Sequence, residues 1–194
     1  ASAMILPPPP VPSLSLVPSD SPILRQRCRE IRQDELPELK DPKFLYRLDK
    51  FRRQLKGVGL AAPQVGDARQ YFVWQEHTGV GSGELVINPR VTWRIGQTET
   101  FDEGCLSFPG LRAPVIRPVE IDVEYTTGGG QFRQRRLHYR AARILTKNLP
   151  NGLPRLAPAV AGKVGLHLVH PAAHLHFVEH HRRLRLRVPF IKQP

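Results

Sequence analysis

Residues 119–139 read VEIDVEYTTGGGQFRQRRLHY, and their reading decides the fold. Val119, Ile121, Val123 and Tyr125 alternate with Glu120, Asp122 and Glu124, the period of a strand with one buried face. Thr127-Gly128-Gly129-Gly130 follows as a turn, and residues 131–139 return as the partner strand. A phosphate-cradling loop is the sharper reading of three glycines. No Gly-Lys-Ser/Thr follows them, so the hairpin is preferred. Outward from it, residues 71–75, 85–88 and 91–95 are short runs rich in β-branched or aromatic residues, again strands. The best helix is 41–56, DPKFLYRLDKFRRQLK. Phe44, Leu45, Leu48, Phe51 and Leu55 share one face, Asp41 is an N-cap with Pro42 in the first turn, and Gly57 and Gly59 end it. The fold class expected is α+β: antiparallel β-sheets around a central helix, with 41–56 packed on sheets built from 70–139.

At 194 residues the chain is long enough for one domain with a real core. No apolar run approaches a membrane span, so no membrane partner is expected. Two cysteines, Cys28 and Cys105, exclude a disulfide scaffold and point to a cytoplasmic, mitochondrial or plastid protein. Twenty prolines argue against a helical bundle. The net charge of +12 is uneven: residues 146–194 hold 8 Lys and Arg against one acid, Glu179, and six of the eight histidines. The division expected is a Pro-rich arm at 1–20, a domain at 21–145 and a divergent basic, His-rich tail at 146–194. Ala1 rather than Met fits a truncated or processed start, and no charged region followed by an apolar one marks a secretory signal.

Two segments carry chemistry. In Gly57-Val58-Gly59-Leu60-Ala61-Ala62-Pro63-Gln64 the glycines allow tight backbone geometry and Gln64 offers a donor and an acceptor. The bland alternative is a helix C-cap and a turn. In Glu103-Gly104-Cys105-Leu106-Ser107 a cysteine between small residues can serve as a thiolate nucleophile or a metal ligand. A lone cysteine is more often a buried structural thiol.

Together, and in this order some 40 residues apart, the two segments resemble the peptide deformylase family. Ser21-Pro22-Ile23-Leu24-Arg25, Ile87-Asn88-Pro89, Pro109-Gly110, Arg112 and Arg117 fit the same pattern, and the resemblance covers residues 21–145. It implies a metal-dependent hydrolase that removes the formyl group from the formyl-methionine of nascent polypeptides. One divalent ion, Fe²⁺ or Zn²⁺, is held by one cysteine and two histidines. The resemblance assigns Cys105 as a metal ligand, the Gln64 side chain and Leu106 N–H as donors to metal water and oxyanion, and Gly59 and Arg112 to substrate binding. It also implies a helical HExxH motif. Ala142-Arg143-Ile144-Leu145 matches the lead-in, but Lys147, Asn148 and Asn151 stand where the motif's residues belong, with Pro150 and Gly152 in the same stretch.

No HExxH occurs anywhere in the chain. His176-Phe177-Val178-Glu179-His180 has the inverted order, which on a helix sets His176 and His180 as metal ligands and Glu179 as the proton carrier. A solvated basic tail is the bland alternative. Three origins fit the last quarter: a catalytically impaired homologue, an active enzyme rebuilt on the inverted motif, or a shifted reading frame or misassigned exon. A function from another class also fits, an inactive homologue that binds the ribosome or RNA through Arg182, Arg183, Arg185 and Arg187. No aromatic platform accompanies these arginines.

Overall fold

Tyr71, Phe72, Val73 and Trp74 are all buried, and this run sets the layering of the protein. The computed structural model describes residues 13–76, 81–94, 97–149 and 155–156; the assignments at 151, 176–180 and 182–187 lie outside them. The helices are α1 (Leu36–Lys40), α2 (Pro42–Gln54) and α3 (Tyr139–Asn148). The strands are β1 (Gly59–Ala61), β2 (Tyr71–Trp74), β3 (Glu84–Arg94), β4 (Thr98–Cys105), β5 (Phe108–Pro118), β6 (Glu120–Thr127), β7 (Phe132–His138) and β8 (Arg155–Leu156). One antiparallel sheet has the order β1-β2-β3-β6-β7, and a second has β4-β5-β8. The fold is α+β.

Side chains of β2 point alternately to the two faces of the large sheet. Tyr71 and Val73 join Leu39, Leu48, Leu60 and Ile87, against which Phe44, Leu45 and Phe51 of α2 also pack. Phe72 and Trp74 join Ile121, Val123, Tyr125 and Leu137 with Ala142, Ile144 and Leu145 of α3. A helix therefore covers each face. The helix at the centre is α3, which touches four strands of the large sheet and β5 of the small one; α2 covers the outer face.

The start of α2 is as its sequence predicts, with Asp41 Oδ1 accepting from Lys43 N at 2.9 Å and Pro42 in the first turn. Its end differs. Lys56, at φ 55°, takes the left-handed position expected of a glycine. Lys56 N donates to Arg53 O at 2.9 Å and Gly57 N to Arg52 O at 3.0 Å, which satisfies the last carbonyls.

The expected strands 85–88 and 91–95 are one strand, β3, carried past Asn88-Pro89 by irregular register. Asn88, at φ 49°, exchanges two 2.8 Å hydrogen bonds with the backbone of Ile31 and so holds the N-terminal segment to the sheet. The 127–130 stretch is the β6–β7 turn: Gly130 N donates to Thr127 O at 2.8 Å, and Gly130 has φ 82°. The phosphate-loop alternative is thereby excluded.

Candidate active site

β1 leads into a tight helical turn over Ala62–Val65 that places Gln64. Gln64 Oε1 accepts from Ala61 N at 2.9 Å, which fixes the amide and turns its Nε2 towards the small sheet. Nε2 donates to Ser107 Oγ at 3.1 Å and lies 3.9 Å from Cys105 Sγ. Gln64 is 6% exposed, and Cys105, at the end of β4, is half-buried. The two sequence motifs thus meet side chain to side chain. Gly57 lies close against the second motif: a Cβ there would lie 2.7 Å from Cδ1 of Leu106, and the leucine side chain would have to shift. A buried pair on α2 holds the first motif from behind: Arg52 Nε donates to Asp49 Oδ1 at 2.8 Å, and its guanidinium reaches Gly57 O at 2.7 Å.

The second motif is held through Glu103. Its carboxylate accepts from Arg117 at 2.9 and 3.2 Å, with the two side chains 8% and 4% exposed. Arg117 also donates to Thr146 O at 3.3 Å, tying β4 and β5 to the end of α3. From that end Lys147 reaches across, and its Nζ donates to Gly104 O at 2.5 Å. Burial pulls the Lys147 ammonium below the usual lysine range, against the opposing pull of Glu103. Asn148 is buried, donates to Ile144 O at 2.8 Å and packs its amide on Gly59. These groups line one cleft of about 670 Å³. Arg112 sits on its rim, 62% exposed and paired with Asp102 at 2.6 Å.

So Gln64, Cys105 and Leu106 come together in the cleft, with Gly59 and Arg112 also lining it. His176, Glu179 and His180 lie outside the described residues. Sequence reasoning passed over three supports. Ser107 stood inside a quoted motif without a role. The Glu103–Arg117 and Asp49–Arg52 pairs are charges that become visible as buried only once strands and helix are packed.

Residues 13–149 match the polypeptide deformylase family. A peptide deformylase of Thermotoga sp. (strain RQ2) is 35% identical over 144 residues, covering 71% of this chain and 84% of the relative. The chain belongs to the polypeptide deformylase family. Peptide deformylase 1B of Oryza sativa, named as chloroplastic, is 39% identical over 60% of this chain and 44% of its own length. The crystal structure of the Thermotoga maritima peptide deformylase superposes with a TM-score of 0.64 at 31% identity, covering 71% of this chain and 90% of that one. Membership places the chain in a family of hydrolases that acts on nascent polypeptides.

The family is metal-dependent, and a divalent ion in this cleft needs several donors converging on it. Among the described residues, no group of three His, Cys, Asp or Glu side chains could hold one. Cys105 is the single thiol donor in the cleft, and Glu103 is committed to Arg117. Lys147 puts an ammonium beside the cysteine strand. The described donor set does not fit a divalent metal ion.

Proposed function

We propose that the cleft receives the formylated N-terminus of a nascent polypeptide, the substrate of deformylation, and that this chain as written is impaired in hydrolysing it. One observation carries the reading. The Gln64 amide is aimed at Cys105 and Ser107, while Lys147 and Asn148 occupy the turn of α3 where the family resemblance calls for a histidine and a glutamate. Gln64 Nε2 and Leu106 N–H would donate to the formyl oxygen as charge develops on it. Gly59 would lie along the peptide backbone, with Arg112 at the rim. What is missing among the described residues is a general base at the end of α3, and such a group is typically worth ~10²–10⁴-fold. The compartment in this reading is one that makes formylated chains: bacterial-type cytoplasm, mitochondrion or plastid.

Formate release from formyl-Met-Ala-Ser by the purified chain is the test, beside equilibrium binding of the same peptide. Binding with little or no formate is expected. Robust turnover would sink the impairment claim. Its loss in both His176→Ala and His180→Ala would then assign the site to the inverted histidine motif. The +7 balance of residues 146–194 favours a second reading, contact with ribosomal RNA through the tail. A gel shift that persists after removal of 146–194 would exclude it.

A further inference from the structure

We propose that the Lys147 ammonium, and not a divalent ion, is the resident cation of this cleft, and that it holds the formyl oxygen of the bound peptide. The proposal rests on the formylated-peptide reading above. Lys147 leaves the last turn of α3 and spans to β4, where its one side-chain hydrogen bond among the described residues goes to Gly104 O at 2.5 Å. An ammonium carries three donors, so two remain for a ligand. No ion pair of Lys147 is formed among the described residues, because Glu103, the nearby acid, is taken by Arg117. The neighbouring Asn148 amide donates back into its own helix and lies on Gly59.

The cleft therefore presents Lys147 Nζ with donors left over among the described residues, while the two hydrogens of Gln64 Nε2 go to Ser107 Oγ and Cys105 Sγ. A neutral carbonyl oxygen matches the Lys147 ammonium: it accepts a charge-assisted hydrogen bond and brings no charge of its own. A divalent ion on Cys105 would instead sit beside a fixed positive charge. Among the described residues the cleft supplies the ammonium and no metal-holding group.

The full chain is titrated with Co²⁺, and thiolate-to-cobalt absorption is followed. That band reports Cys105 and is blind to cobalt taken up by the six C-terminal histidines. In parallel, fluorescently labelled formyl-Met-Ala-Ser is bound in EDTA and in Co²⁺, followed by anisotropy. The proposal expects no thiolate band at equimolar Co²⁺ and the same peptide affinity in both buffers. It expects at least a tenfold weaker affinity for Lys147→Met in EDTA, and a thiolate band that rises in Lys147→His. A stoichiometric band in the parent chain, lost in Cys105→Ser, would overturn it. So would unchanged peptide affinity in a folded Lys147→Met. Absence of peptide binding in every variant and both buffers would sink the formylated-peptide reading instead, while the cobalt band still judges the lysine.

Discussion

Gly59 and Asn148 touch so closely that each limits what the other position accepts. A Cβ at Gly59 would lie 2.6 Å from Cγ and Oδ1 of Asn148. Gly59→Ala is expected to cost about 1–3 kcal/mol in a urea melt, as overpacking does, and Asn148→Ala in the same chain should recover most of it. No recovery would show that the backbone at 59, not the amide, sets the limit. Cys28 and Cys105 should also behave differently. Cys28 is 1% exposed, and burial, with Asp67 adding, pushes its thiol up to about 11 from 9.0. The folded chain keeps that proton in a range where the unfolded chain has lost it. This stabilisation is full below pH 9 and falls as pH rises towards about 11. Urea midpoints should drop between pH 8.5 and 10.5 more steeply in the parent than in Cys28→Ala, and equal slopes would refute the assignment. That Gln64, Cys105 and Leu106 come together in one cleft was legible because two ordered motifs named them. Lys147 was legible only as a missing histidine. Its reach to Gly104 depends on how α3 meets β4, which local sequence does not encode.

At the scale of elements, α2 shows where periodicity succeeds and where it stops. The apolar spacing found the helix and its cap, because both are local. Leu48, 3% exposed, should cost about 2–5 kcal/mol when cut to alanine. Phe51, only half-buried beside the same cluster, should cost less in the same thermal melt. Asp49 and Arg52 sit among the polar positions of that helix, yet they are 1% and 2% exposed. Charges three apart share a face, and pairing let them be buried under the 57–64 loop. Asp49→Ala leaves Arg52 buried without its carboxylate, and a loss of about 3–5 kcal/mol is expected from denaturant unfolding. A loss below ~1 kcal/mol would mean that Gly57 O alone satisfies the guanidinium. β3 was read as two short strands, 85–88 and 91–95, and the register irregularity that joins them is a tertiary matter. The central place of α3 was not foreseen either: its pattern reads as a short helix, and only a second sheet makes it the middle layer.

Over the whole molecule, the chain is a deformylase domain that changes character at the end of α3. Sequence alone marked this end, since the charge balance shifts near residue 146 and Pro150 disfavours further helix. The family match ends at residue 149, and α3 stops at Asn148 with Leu149 already extended at φ −57°, ψ 122°. Everything before that point supports a site of this family: Gln64 is oriented, Glu103 is anchored, and α3 is seated between the sheets. If this chain is impaired as proposed, and the cause resides in the last turn alone, repairing that turn should restore activity. The variant combines Lys147→His, Asn148→Glu and Asn151→His, with Pro150→Ala and Gly152→Ala to let the helix run on. It should take up one Co²⁺ per chain with a thiolate band. Its formate release from formyl-Met-Ala-Ser should exceed the parent's by at least ~10²-fold, the lower range for regained acid–base help. The nucleotide sequence across codon 146 bears on the same point, because an alternative frame or splice leading into HExxH would be nature's version of this repair. A folded, metal-loaded variant that still releases no formate would place the defect elsewhere, in the 57–64 loop or the 103–107 turn, and the local account of the lost activity would have to be given up.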